Sequence, residues 1–245
     1  MQKNFVLITG SSSGLGAGIA RSLSEEGRNV ALHYNRGEKR IKEIDDFCRK
    51  RDVETILLRS DLSSTAGLDS LRDQVEEGGI KLGGLVNNAG IAVSGDVRNI
   101  TDEDWGMVLS LNLTAPVLLT KRLLKFFTDS SSILNMSSAS GLRASREISI
   151  AYQSSKAALI HATKSMALSL APKTRVNAIA PSFVETHMTG NILSNSGFRE
   201  VIVRMTPMGR METIEDVTNM ASFLLSEKSS FITGQTFLID GGITL

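Results

Sequence analysis

Two features of the chain have residue types and spacings that could do chemistry. One is the pair Tyr152 and Lys156; the other is the run Thr9-Gly10-Ser11-Ser12-Ser13-Gly14-Leu15-Gly16. On a helix, a spacing of four puts the phenol and the ammonium on one face. A tyrosine of ordinary pKa is a poor acid or base at neutral pH until its anion is stabilised, and a nearby ammonium does that. Taken alone the pair also has a bland reading, since Tyr-x-x-x-Lys occurs on many solvated helix faces. The glycine run follows an apolar strand and opens a helix. Gly10, Gly14 and Gly16 permit a tight turn, close backbone approach to a phosphate and close helix packing. The helix start offers free N–H groups and a positive dipole end to a pyrophosphate. A plain strand-to-helix turn is the alternative, but the flanking strand and helix favour a nucleotide.

Elements must position these groups, and the hydrophobic pattern supplies them. Strands are expected at 5–8, 30–32, 53–58, 85–86, 133–136, 175–179 and 236–239. Helices are expected at 14–26, 38–50, 68–77, 103–111, 116–127, 151–170 and 213–225. The alternation predicts an α/β fold: a single doubly wound Rossmann domain over 1–245. Its seven-stranded, mostly parallel sheet would carry helices on both faces. Segment 183–210, rich in Ser, Asn, Met and Gly, is expected to be a lid over the site.

Composition removes other classes. Lys and Arg number 27 against 26 Asp and Glu, for a net charge of +1. No basic excess draws nucleic acid, and aromatics at 5% are too few for a base-stacking platform. Cys48, the only cysteine, excludes an internal disulfide and a cysteine-based zinc site, so no metal is expected. A reducing, cytoplasmic setting is expected. No apolar run has membrane-spanning length, and 5–8 is too short for a signal peptide.

The spacing Thr-Gly-x-x-x-Gly-x-Gly resembles the short-chain dehydrogenase/reductase family. The resemblance continues through Asp61-Leu62, Asn87-Asn88-Ala89-Gly90, Asn112, Ser138 and Tyr152-Gln153-Ser154-Ser155-Lys156, then Ile232-Thr233-Gly234-Gln235 and Asp240-Gly241-Gly242. Residues 175–181 and 207–210 look most like the beta-ketoacyl-acyl carrier protein reductase branch. The resemblance implies that Tyr152 gives a proton to the substrate oxygen as hydride reaches carbon. Lys156 would lower the Tyr152 pKa and hold the nicotinamide ribose. Ser138, rather than its neighbours Ser137 and Ser140, would bond the substrate oxygen, and Asn112 would anchor a water behind Lys156. The cofactor would lie along Gly10, Ser12, Ser13, Gly14, Leu15 and Gly16, then Tyr34, Asn35 and Arg36. Beyond these it would meet Asp61 and Leu62, then Asn88, Ala89 and Gly90, and finally Pro181, Ser182, Val184 and Thr186. Two departures stand out. Ser138 and Tyr152 are one residue further apart than is usual, which predicts a bulged loop between them. Ser182 also replaces the usual glycine after Pro181. Relatives are often tetramers joined through the helices around Asn112 and Tyr152, so a homotetramer or homodimer is expected.

The second strand ends His33-Tyr34-Asn35-Arg36 with no carboxylate to repel a 2′-phosphate, and Arg36 can pair with one. NADP(H) and the reductive direction follow. The expected activity is reduction of a small-molecule or acyl-thioester ketone. A pteridine reductase is an alternative suggested by that same strand end. A cofactor-sensing regulator without turnover is another, disfavoured by the complete Asn-Ser-Tyr-Lys set. His161 reads as structural or interfacial, Cys48 as packing, Trp105 as an anchor, and His187 as a possible substrate contact.

Overall fold

The structure is a computed structural model and describes residues 4–186, 190 and 196–245. His187 therefore lies outside the described residues. Seven strands form one sheet in the order β3-β2-β1-β4-β5-β6-β7. They are β1 (Asn4–Ile8), β2 (Asn29–Tyr34), β3 (Thr55–Arg59), β4 (Lys81–Asn87), β5 (Phe127–Met136), β6 (Thr174–Pro181) and β7 (Thr236–Ile239). All six pairings are parallel, where the sequence predicted a mostly parallel sheet. β1 is apolar and buried from Phe5 to Ile8 because helices cover both faces of the sheet.

The helices divide between those faces. α1 (Gly14–Glu25), α2 (Glu38–Arg49) and α8 (Ile214–Leu225) bury Ile19, Leu23, Ile41, Val217 and Leu224 on one side. α3 (Thr65–Glu77), α5 (Ala115–Leu123) and α6 (Ile150–Leu170) bury Leu68, Leu71, Leu119, Leu123 and Ala167 on the other. α4 (Asp102–Leu109) runs into α5 through a π-turn over Ser110–Thr114. There the Ala115 N–H reaches the Ser110 carbonyl. The widened turn takes up Pro116, which has no N–H to return to the Asn112 carbonyl.

Several elements differ from the expectation. The helix expected to reach 127 ends at Leu123, and β5 starts at Phe127 instead of 133. The polar run Thr128–Ser132 hid this strand. Its hydroxyls find partners across the fold: Ser131 pairs with Thr174 at 2.8 Å, and Ser132 donates to the Leu224 carbonyl at 2.9 Å. The expected lid contains a helix, α7 (Ser196–Met205), where the sequence looked irregular. The continuous stretch Asp102–Phe126 is, among the described residues, long and apolar enough to cross a membrane by composition alone. Its inner face packs Ala115, Leu119, Leu123 and Phe126 into the core against the sheet.

Candidate active site

The site forms at the C-terminal ends of β1 and β4, where the strand order reverses direction and open α/β sheets leave a crevice. Thr9 clips the two strands together. Its hydroxyl donates to the Val86 carbonyl at 3.1 Å and accepts the N–H groups of Asn88 and Ala89 at 2.9 and 3.0 Å. The Asn88 amide in turn donates to the Thr9 and Gly10 carbonyls at 2.8 and 3.2 Å. Gly10 has φ +66°, and a Cβ on Gly16 would meet the Gly10 carbonyl oxygen and the Asn88 amide at 2.5 Å. Both positions therefore require glycine. The side chain of Ser13, the N-cap of α1, caps none of the first-turn N–H groups. These can face a phosphate.

A cavity of about 630 Å³ runs from this loop to α6. Gly10, Ser12, Ser13, Gly14 and Leu15 line it, with Asn35, Arg36, Asp61 and Leu62 at one end. Asn88, Ala89 and Gly90 lie along its middle. Ser138, Tyr152, Lys156, Pro181, Ser182, Val184 and Thr186 close the other end. Gly16 packs beneath the loop, in contact with it and not with the cavity. Tyr34 is not among the lining residues: successive strand side chains alternate, so His33 and Asn35 face the cavity while Tyr34 packs on the α1–α2 core.

Sequence reasoning missed His33 and Arg40 here. Buried His33 accepts the Gly10 N–H at Nδ1 at 3.3 Å, and its Nε2 lies 3.2 Å from the Ser60 carbonyl oxygen. This network assigns the ring proton to Nε2. Burial pushes the His33 pKa down to about 4, so the ring stays neutral and braces the glycine loop. Arg40 also lines the cavity beside Arg36. The space over Gly37 admits it, with the Arg40 guanidinium 2.9 Å from where a Gly37 Cβ would stand. The signal was a second arginine one helical turn after the first. Glu38, the nearest acid, is held by Arg59 at 2.5 Å and does not line the cavity. Hydrogen bonds from Ser63 hold the Asp61 carboxyl below its ordinary pKa.

At the other end, α6 presents Tyr152 and Lys156. Lys156 Nζ lies 5.5 Å from the Tyr152 ring centre and donates to the Met136 carbonyl at 2.7 Å. Burial lowers the Lys156 pKa to about 8. Burial also raises the Tyr152 pKa, with the Ser138 hydroxyl pulling the other way. The Lys156 ammonium is turned to a main-chain oxygen in this arrangement. The raised value keeps the phenol protonated, as a proton donor needs. Ser137 is buried and donates to the Lys156 carbonyl at 3.0 Å, which pins β5 to α6. The Ser138 hydroxyl lies half-buried on the cavity wall, with Ser140 beside it at 3.0 Å.

Fully buried Asn112 exchanges two bonds with Ile91, each of 2.9 Å, and donates to Ser155 Oγ at 3.2 Å. A Cβ on Gly90 would stand 3.0 Å from Asn112 Oδ1 and 3.7 Å from Lys156 Nζ, so these groups surround one spot. The loop between Ser138 and Tyr152 is fastened by Gln153. That amide donates to the Ser145 and Ile148 carbonyls at 3.0 and 2.6 Å and accepts the Ser145 N–H at 2.7 Å. His161 is exposed, and Cys48 is buried with its thiol pushed up by desolvation.

A doubly wound parallel sheet with a glycine-rich loop and a Tyr-Lys pair in its switch-point crevice defines a nicotinamide-dependent oxidoreductase. A family model described as enoyl-(acyl carrier protein) reductase matches residues 10–244. The chain is 33% identical to 3beta-hydroxysteroid dehydrogenase 1 of Eggerthella lenta, over 98% of this chain and 93% of that protein. It is also 33% identical to the 3-oxoacyl-[acyl-carrier-protein] reductase FabG of Chlamydia pneumoniae, over 98% and 96%. Among solved structures, the angucycline C-6 ketoreductase LanV with bound NADP superposes with a TM-score of 0.91 at 27% identity, over 98% of this chain and 95% of that one. The chain belongs to the short-chain dehydrogenase/reductase family.

Proposed function

We propose that the protein is an NADPH-dependent ketone reductase acting on 3-oxoacyl thioesters or similar small carbonyls. One observation carries this reading. Tyr152, Lys156 and Ser138 line one cavity together with the glycine-rich loop, and Arg36 and Arg40 line the far end of that cavity. When bound, the cofactor supplies the hydride. Ser138 orients the carbonyl oxygen, and the Tyr152 phenol delivers the proton that completes the alcohol. Lys156 stabilises the phenolate left behind. In an α-helix the Asn112 carbonyl would receive the N–H of residue 116. With proline there, that oxygen can anchor a water that returns the proton. Ile91, Met107 and Leu111 give the substrate end an apolar lining, which suits an acyl chain or a fused ring.

Preference for NADPH rests on Arg36 and Arg40 and on the diversion of Glu38. Arg36→Ala is expected to weaken NADPH binding by ~1–3 kcal/mol, typical of a lost charge-assisted bond, with NADH binding little changed. Titration of both cofactors checks it, and an equal loss for the two rejects the phosphate role.

The same reading makes docking to an acidic carrier protein weak. Lys173 is exposed, but Arg175 donates to the Leu224 and Ser226 carbonyls and Arg143 to the Thr244 carbonyl. One 3-oxoacyl group presented on a carrier protein and on a small thiol should give kcat/KM values within ~10-fold, with little salt dependence. A large carrier advantage that fades with salt restores a fatty-acid synthesis role. NADPH consumption with ketones, cyclic ketones and pteridines separates this reading from a pteridine reductase and from a silent regulator.

We also propose that the chain acts as a single domain in the cytoplasm, with 183–210 as a lid over the substrate end. The edge-on contact of Phe183 with Phe198 at 5.8 Å joins the start of that segment to its own helix α7. A homotetramer joined through the helices around Asn112 and Tyr152 fits the exposed Leu124 and Leu168, the latter 85% accessible. Leu168→Glu should reduce the assembly seen by light scattering, and an unchanged mass excludes that face.

A further inference from the structure

A buried acid that takes no part in the proton chemistry lies behind the cofactor cavity. Glu212 immediately precedes Thr213, the N-cap of α8, and is 9% exposed. Its Oε2 accepts two bonds from one residue, the Ser182 N–H at 2.7 Å and the Ser182 hydroxyl at 2.8 Å. Its Oε1 is buried and has no partner among the described residues. A parallel bridge between Val184 and Glu212 adds a main-chain attachment two residues further along. Residues 181–186 thus form a strap between two cavities. Pro181, Ser182, Val184 and Thr186 face the cofactor cavity, while Ser182 and Phe183 also face a second cavity of about 180 Å³ that Glu212 lines.

The anchor of this strap is rigid. Thr213 and Asp216 form a reciprocal cap, and Arg210 grips Asp216 with two bonds of 2.6 and 2.8 Å. The charged groups facing Glu212 are Arg210 and Asp216 from that cap and Asp240 from the end of β7; α7 contributes only Ile202 and Thr206. Arg210 is committed to Asp216, so among the described residues no cation neutralises Glu212. The serine that replaces the family's usual glycine supplies the second donor.

We infer that Glu212 is a positioning residue for the nicotinamide end of the cofactor site, setting the strap through Ser182. Burial first, with Asp216 and Asp240 adding to it, raises the Glu212 pKa to about 7 against the pull of the Ser182 bonds. With Oε2 already accepting two donors, the proton goes to the unpartnered Oε1. Both Ser182 bonds survive protonation but lose their charge assistance. The strap is therefore held tightly above pH 7 and more loosely below it.

The inference rests on the cofactor-site reading above, and its test separates the two. Dissociation constants of NADPH and NADH would be measured for wild type, Glu212→Gln and Ser182→Gly at pH 6 and pH 8, with NADH excluding titration of the 2′-phosphate. Glutamine keeps an acceptor for Ser182 and removes the charge. Glu212→Gln is expected to bind both cofactors ~5–10-fold more weakly than wild type at pH 8 and within ~2-fold at pH 6, the difference between charged and neutral bonds. In the Ser182→Gly background the same substitution should cost less than half as much. A wild-type-to-variant ratio that is flat with pH, or an undiminished cost without the Ser182 hydroxyl, overturns the inference while NADPH binding by wild type leaves the site reading standing. Failure of wild type to bind NADPH overturns both.

Discussion

Tyr152→Phe is expected to lose at least ~100-fold in turnover, the usual worth of a positioned general acid, while NADPH binding is largely kept. The substitution removes one oxygen from a ring that stays packed on α6, so the cavity keeps its shape. Among the described residues lining the substrate end, the other hydroxyls belong to serines and a threonine, whose protons are far less acidic than a phenol's. The raised Tyr152 pKa means that the donor is protonated throughout the neutral range. Single-turnover mixing with NADPH and a 3-oxo ester reads the chemical step directly. Near-normal turnover in the variant would remove Tyr152 from the mechanism.

Lys156→Met should be comparably damaging, ~100-fold or more, because it deletes the buried ammonium beside the phenol. Its effect on stability should be small, since two contributions oppose. Removing the charge ends the cost of burying it, while the Met136 carbonyl loses its 2.7 Å donor. A melting temperature near that of wild type, with turnover abolished, would exclude unfolding as the cause.

The same group sets a pH profile. Lys156 is charged below about pH 8 and neutral above it. Reductive kcat/KM for NADPH, which reports the free enzyme, should therefore fall as pH rises through about 8. The sign for stability is opposite. From about pH 8 up to the ordinary lysine value the unfolded chain binds the proton and the folded chain does not, so this group makes the protein more stable as pH rises. A kcat/KM that keeps climbing above pH 8 would show that the charge of Lys156 is not needed.

Local periodicity determined much of this protein by itself. The spacing of four between Tyr152 and Lys156 decides their shared face, because a helix turns every 3.6 residues. Glycines between an apolar strand and a helix decide where a phosphate can lie. Continuous apolar strands alternating with amphipathic helices decide a parallel sheet covered on both sides, and the order of the motifs along the chain carries the family. What local pattern could not decide was which distant groups meet. β5 begins at Phe127 because Thr174 and the Leu224 carbonyl satisfy serines that read as a loop. Tyr34 turns from the cavity while His33 faces it, since the pairing of β2 sets which side of the sheet each residue takes. Lys156 is directed by the Met136 carbonyl and not by Tyr152 alone. Glu212 meets Ser182 thirty residues away only because β6 and the start of α8 are brought side by side. Hydrogen bonds and burial between such partners depend on chain packing, and no spacing within one element encodes them.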